Sequence, residues 1–498
     1  MKSTATQSLV LITVDCLRAD HAGFLGYHRP TTPFLDSLAR ESFVFSNAIV
    51  AGSPTYYSFP AIMASRHALS LGRDMVGLAP GEATLASVLH DAGYATSAFL
   101  AGNPYLSPRF GYDAGFETFE DFLDAEIGPS DNSLQSTEFS QSSLWNRCLS
   151  RASHKLRPVG SIYDELYFQY CLRLAADPAI SFEKLRRFPA ADVVVDQACR
   201  WLTDLSGRPF FLWLHFMDPH APYYPSQQAL DEMQDGAIDA TEARYLNAYW
   251  NRGDLRANRL GRERDHVMSL YDAGIRWVDT QVSRLVTELR GLRLWDNCVL
   301  ALTADHGEEF LDHGERYHPP NKLTEELVRV PLLLRVPGVS HKRLVESPFS
   351  LIHTAPTLLD ALNASTPADF KGRSHWESLL SGKSWEGEAV VECVRGCLNP
   401  FHMKSRMGAR LLSVREPRFK LVLDFNNASQ DLFDLQADPE ERSPLRAGEA
   451  GQVRRRLLEK ARRHISDSLQ FRDRDSVLAA RIRHLRQDWT QTPVRACA

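Results

Sequence analysis

Ser8-Leu9-Val10-Leu11-Ile12-Thr13-Val14-Asp15 is an apolar run closed by a carboxylate. Its apolar residues are continuous rather than alternating, the pattern of a central parallel strand buried on both faces. The run is too short to span a bilayer. It also lacks the small-residue cleavage site of a signal peptide, so it reads as the strand that opens the fold. An acid at its carboxyl end stands where open α/β sheets gather their chemistry.

Strands and helices alternate outward from this strand. Thr32 to Ala39 opens a helix with Pro33 in its first turn, and Phe43-Val44-Phe45 is a second strand. Thr84 to Gly93 is a helix ended by glycine, and Tyr94 to Phe99 is a third strand. Phe210 to Phe216, Cys298 to Thr303 and Val330 to Val336 are further strands, with a long helix over about 266–291. This alternation predicts an α/β sheet with helices on both faces. Two polar insertions interrupt it, at about 124–190 and 226–264. The first holds a Ser/Gln/Asn-rich stretch from Gly128 to Ser143 and a helical Tyr163 to Arg173.

The character changes after about residue 365. Phe419 to Asp424 and Asp431 to Leu435, joined through Asn426-Asn427, read as antiparallel strands of a small subdomain over 366–445. Residues 446–498 carry 13 Lys/Arg against 6 Asp/Glu. Val453, Leu457, Ile465 and Leu469, then Leu478, Ile482, Leu485 and Trp489, fall at helical spacing, so this is a basic tail of two amphipathic helices. Its composition suits packing on the acidic remainder of the chain, or a homodimer through the tail, better than a membrane surface.

The 498 residues carry a net charge of −5, which gives no case for nucleic-acid binding. No segment approaches a membrane span. The eight cysteines are scattered and read as reduced thiols of a cytoplasmic protein. Cys393 and Cys397 have no partner pair at zinc-ligand spacing.

Asp15, His220 and the pair Asp305-His306 all follow strands. One such acid alone reads as a helix cap, and one such histidine among prolines as a turn residue. Three at successive strand ends point to a site, and clustered carboxylates need a cation to coexist. Thr55 opens the run Thr55 to Arg66, a loop turning into a helix with a hydroxyl at the turn. A hydroxyl, two carboxylates and an imidazole suit a metal-activated nucleophile acting on a phosphate or sulfate ester. Asn103, after the third strand, reads either as an amide offered to a substrate oxygen or as a turn residue.

These residues resemble a family. Val14-Asp15-Cys16-Leu17-Arg18-Ala19-Asp20-His21, Gly26-Tyr27 and Thr31 to Asp36 are similar to the opening of the sulfatase branch of the alkaline phosphatase superfamily. Asp218-Pro219-His220-Ala221-Pro222-Tyr223, Thr303 to Glu308, Arg329-Val330-Pro331-Leu332 and Asp431 to Glu440 continue the match in order, over about residues 8–445. The resemblance implies a large mixed, mostly parallel sheet flanked by helices over 1–365, with a small C-terminal α+β subdomain and the helical tail. It implies at least one divalent metal on Asp15, Thr55, Asp305 and His306, and Thr55 as nucleophile with Ser58 its rival. His220 and His318 match active-site histidines. Arg66 matches a substrate-side residue, and Lys322 lies near the family's anion-binding Lys, with its spacing to Arg329 off by about two. A second metal on Asp218, His220 and His318 is the lesser alternative.

The departures are as informative. Sulfatases of this branch carry Cys or Ser, oxidised to formylglycine, where Thr55 stands, and Arg where Phe59 stands. Threonine cannot give that aldehyde, so an unmodified alkoxide without formylglycine is implied. Asp15-Cys16 replaces Asp-Asp, and Asp305-His306 replaces Asp-Asn. Imidazole in place of oxygen shifts the preferred ion from Ca²⁺ toward Mn²⁺ or Zn²⁺. The expected activity is metal-dependent hydrolysis of phosphate or phosphonate esters on small molecules or conjugates. Sulfate-ester hydrolysis and phosphotransfer are the enzymatic alternatives, and a silent binding scaffold is the alternative from another class.

Overall fold

A computed structural model describes residues 6–123, 168–170, 172, 180–205, 207–339, 341–446 and 448–470. The Gly128 to Ser143 stretch, most of the expected 163–173 helix and the second tail helix lie outside the described residues.

The main sheet is built from β1 (Ser8–Val14), β2 (Phe43–Ile49), β3 (Ala95–Leu100), β4 (Thr118–Glu120), β5 (Phe210–Phe216) and β6 (Cys298–Ala304). Past a short hairpin, β7 (Glu309–Phe310) and β8 (Arg316–Tyr317), it continues with β9 (Arg329–Arg335), β10 (Arg343–Val345) and β11 (Phe349–Ser350). The order in space is β10-β2-β9-β6-β1-β5-β3-β4, with β11 also on β2. β1 runs parallel to both β5 and β6, and β3 parallel to β5 and β4. Only β9 runs against its neighbours β6 and β2. The sheet is therefore mixed and mostly parallel, and β1 lies at its centre, buried at every position.

Register places the site. Val14 pairs with Phe216 on one side and Ala304 on the other, so Asp15, Met217 and Asp305 leave the sheet at one level. One residue earlier, Thr13 lies between His215 and Thr303.

The long helix Arg264–Gly291 packs on the helix Ala191–Thr203 and buries Leu270, Ile275, Val278, Val282, Leu285 and Leu289 at helical spacing. Two buried acids on it serve the rest of the fold. Asp279 accepts from Phe34 N and Leu35 N, at 2.9 and 2.8 Å, where the helix Pro33–Leu38 begins. Asp272 accepts from Tyr27 Oη at 2.8 Å and Arg29 at 2.6 Å, with His21 Nδ1 2.7 Å away, and so pins the loop that follows β1. The stretch 226–264 holds the helices Gln227–Glu232, Ala240–Trp250 and Ala257–Leu260.

A second sheet, antiparallel, is formed by β12 (Ala389–Val394), β13 (Arg410–Arg415), β14 (Phe419–Asp424) and β15 (Ser429–Asp434). The sequence reading found only β14 and β15. The helix Gly451–Gln470 closes this sheet, burying Leu457 and Ala461 against Leu412, Val414, Leu421 and Leu432. Its basic face meets acids beside the sheet: Arg456 pairs with Glu416 at 2.6 Å and Lys460 with Glu388 at 2.8 Å. The first tail helix thus packs within its own chain. Among the described residues no helix is long and apolar enough to cross a membrane. Cys16, Cys199, Cys298, Cys393 and Cys397 are unbridged.

Candidate active site

Thr55 opens the helix Thr55–Ala64, whose ten residues are all buried. Its Oγ1 lies 3.1 Å from His306 Nε2. His306 Nδ1 donates to Gly307 O at 2.9 Å, which fixes the tautomer and leaves the Nε2 lone pair facing Thr55. Position at a helix N-terminus favours negative charge on the hydroxyl oxygen.

Asp15 and Asp305 complete the group. His306 Nε2 is 3.7 Å from Asp15 Oδ1 and 3.6 Å from Asp305 Oδ2. One ligand atom from each of Asp15, Asp305 and His306 lies within 4.8 Å of the others, and all three residues are buried. Cys16 with His306 and His318, and Asp15 with Cys16 and His220, form two further triplets of this kind. Thr55, Asp15, Asp305, His306, His220 and His318 are therefore one constellation.

The electrostatics are those of a crowded buried anion site. Burial works to raise Asp15, yet His220, His215 and His306 hold it well below the usual carboxylate range. Burial and then the charge of Asp15 push Asp305 up. Burial and nearby Glu308 push the Cys16 thiol up, and that thiol donates to Asp15 Oδ1 at 3.1 Å. His318 is drawn down by burial but raised on balance by Glu308, whose Oε1 is 3.3 Å from its Nδ1. Burial lowers His220, whose Nδ1 donates to Ala221 O.

A divalent ion fits these residues. Asp305 Oδ2 and Glu308 Oε2 are buried without a hydrogen-bond partner, and uncompensated carboxylate oxygens in such a place call for a cation. Two carboxylates and an imidazole are a donor set for Mn²⁺ or Zn²⁺.

Other sequence-predicted residues stand elsewhere. Asn103 Nδ2 donates to Asp15 Oδ2 at 2.9 Å and lies 3.4 Å from His215 Nε2, while its Oδ1 accepts from Tyr105 N. The first of these bonds orients Asp15. Arg66 grips both oxygens of Glu82 and donates to Gly77 O. Lys322 is held by Glu309 at 3.2 Å and by His313 O at 2.8 Å. Asp218 Oδ1 accepts from Ala191 N at 3.2 Å, at the start of the helix Ala191–Thr203, and its Oδ2 is buried without a hydrogen-bond partner. Ser58 Oγ is fully buried and unpartnered.

Two site residues escaped the sequence reading. His215 Nε2 lies 3.5 Å from Asp15 Oδ2, and its Nδ1 donates to Thr13 Oγ1 at 2.9 Å, that hydroxyl itself donating to Leu214 O. The signal was a lone imidazole in an otherwise apolar strand. Glu308 stands within a quoted motif, yet its part in holding His318 needs the fold to be seen.

The family model described as Sulfatase matches residues 7–364. The model described as N-sulphoglucosamine sulphohydrolase, C-terminal, matches residues 315–466. The "Multifunctional alkaline phosphatase superfamily protein PehA" of Trinickia caryophylli is 26% identical over 52% of this chain and 56% of that protein. The choline-sulfatase of Rhizobium meliloti (strain 1021) is 27% identical over 52% of this chain and 50% of that one. The chain thus spans about half the length of these curated relatives. The phosphonate monoester hydrolase of Agrobacterium radiobacter superposes with a TM-score of 0.62 at 20% identity, over 93% of this chain and 96% of that one. BT4656, solved with its substrate D-glucosamine-2-N,6-O-disulfate, superposes with a TM-score of 0.67 at 16% identity, over 94% and 99%. With the family model covering β1 through β11 and the acids at the ends of β1 and β6 where that family's fold gathers its chemistry, the chain belongs to the sulfatase family of the alkaline phosphatase superfamily.

Proposed function

We propose that the chain is a metal-dependent hydrolase of phosphate or phosphonate esters that works through a covalent intermediate on Thr55. The observation that carries this reading is Thr55 Oγ1 at 3.1 Å from His306 Nε2, beside two buried carboxylates. Asp15, Asp305 and His306 would hold the ion, with Thr55 Oγ1 beside them. Bound there, a divalent ion lowers the pKa of a hydroxyl and neutralises a substrate oxygen.

Thr55, its hydroxyl proton released to solvent beforehand, attacks the phosphorus in line through Oγ1 and departs again as the alkoxide in the second step; the new P–O bond forms as the bond to the leaving oxygen breaks. His318, whose proton affinity Glu308 raises, gives that oxygen its proton. The same imidazole then takes a proton from water, whose oxygen displaces Thr55 from phosphorus. Asn103 keeps Asp15 oriented throughout. Thr55 bears a methyl on Cβ, so oxidation there cannot yield an aldehyde, and this favours phosphorus esters over the formylglycine route. Sulfate-ester hydrolysis is the second reading. It is favoured by the match of residues 315–466 to a sulphohydrolase C-terminal region.

A panel of aryl phosphate, phosphodiester, phosphonate and sulfate esters tests the choice with chelator-treated protein. The expected result is turnover of a phosphorus ester, restored by Mn²⁺ or Zn²⁺ better than by Ca²⁺. Turnover confined to the sulfate ester would overturn it, and no turnover with any ester would favour a binding scaffold.

A further inference from the structure

His67, Glu392 and His464 come from three separate parts of the chain and meet away from Thr55. His67 follows the nucleophile-bearing helix, Glu392 lies in β12, and His464 projects from the C-terminal helix. One ligand atom from each lies within 4.8 Å of the others. His464 Nε2 is 3.0 Å from Glu392 Oε2, and the two imidazole rings stand edge-on with centroids 4.5 Å apart. The Glu392 side chain is fully buried.

The second bonds of Glu392 and His67 orient them as ligands need. Glu392 Oε1 accepts from Leu69 N at 3.1 Å, which leaves Oε2 toward the histidines. His67 Nδ1 donates to Ala51 O at 3.4 Å, leaving Nε2 as the free nitrogen. Burial, and then His464, hold His67 down at about 4, so it is neutral at pH 7. Burial works to raise Glu392, but His464 and Arg410 bring it to about 2, so it is ionised. Arg410 Nε shares that carboxylate at 3.7 Å.

We propose that His67, Glu392 and His464 form a second divalent-metal site, of zinc type, that clamps the C-terminal helix to the segment leading into Thr55. Two imidazoles and one carboxylate are an established zinc donor set, with a fourth position left for water. Binding asks the triangle to contract to edges of about 3.3 Å, set by Zn–N and Zn–O bonds of ~2.0–2.1 Å. The mechanical consequence follows from Ala51, whose carbonyl accepts from Glu392 N at 3.1 Å and which precedes Thr55 by four residues. The ion would join the small sheet, its closing helix and the nucleophile's approach segment at one point.

The test uses the full chain, stripped with chelator, reloaded with Zn²⁺ and freed of excess by gel filtration. His464→Ala and His67→Gln should each retain one zinc equivalent fewer than wild type. Their zinc-induced rise in Tm should be smaller by a few degrees. Equal zinc content in wild type and both variants would overturn the proposal and leave an ordinary His464–Glu392 ion pair. Should both variants fail to fold, protein carrying Asp15→Ala and His306→Ala together, which breaks every donor triplet around Thr55, is titrated with Co²⁺ and decides instead. One equivalent with a tetrahedral absorption spectrum supports the clamp, and no such spectrum overturns it.

Discussion

At the scale of single residues, the account rests on one hydroxyl and the groups that surround it. Thr55→Ala removes the attacking atom, and the helix it opens keeps its packing. Turnover should fall by roughly 10⁴-fold or more, with the thermal unfolding midpoint nearly unchanged. Ser58→Ala should retain most activity, because its hydroxyl is enclosed and touches no other polar group. A reversal of these two results would move the nucleophile one helical turn along. His318→Ala should slow esters of poor leaving groups by roughly 10²–10⁴-fold and esters of good leaving groups far less. A leaving-group series measured on that variant checks the assignment, since a merely structural histidine would slow all esters alike.

At the scale of elements, three parallel strands and one tight turn make the site. The register of β1 against β5 and β6 brings Asp15 and Asp305 to one level from positions far apart in sequence. The turn after β6 tolerates no side chain at Gly307, where a Cβ would sit 1.9 Å from Glu326 O. Gly307→Ala should therefore destabilise the protein by ~1–3 kcal/mol and weaken metal retention, because Gly307 O also orients His306. Denaturant melts and bound-metal analysis on that variant are the check. β1 and β6 were legible because continuous apolar runs ending in acids have few other readings. β12 and β13 were missed because the reading after residue 365 began only at the turn signal Asn426-Asn427. His215 was hidden because one imidazole in an apolar strand looks like core. The partners of Asn103, Arg66 and Lys322 could not be read from the sequence, because Asp15, Glu82 and Glu309 come from other parts of the fold. Motif position indicates where a side chain starts, not whether its hydrogen bonds are already taken.

At the scale of the whole molecule, the small sheet is tied to the catalytic domain by buried charge. Glu325, ahead of β9, faces Arg415 at 3.1 Å and Lys420 at 3.1 Å, and Lys420 also meets Glu441 at 2.9 Å. Burial works to raise Glu325, but Arg415 and Lys420 bring it from 4.5 to about 2. A carboxylate depressed in the folded state contributes stability above its unfolded pKa and loses it as pH falls through the folded one. This contribution is therefore full above about pH 4.5 and fades toward pH 2. Glu325→Gln should be less stable near neutrality and should flatten the fall in stability over that window, as denaturant melts across pH 2–5 would show. Lys420→Met, which takes the cation from Glu441 and leaves Glu325 with Arg415 alone, should cost about 3–5 kcal/mol. The central claim, covalent catalysis by unmodified Thr55, is tested most directly by mass spectrometry of the whole protein, acid-quenched during turnover of an aryl phosphonate monoester. The account predicts one phosphonyl adduct, mapped by peptide fragmentation to Thr55, on a chain of otherwise unmodified mass. An adduct on Ser58, a formylglycine at either position, or rapid turnover with no adduct at any quench time would contradict it.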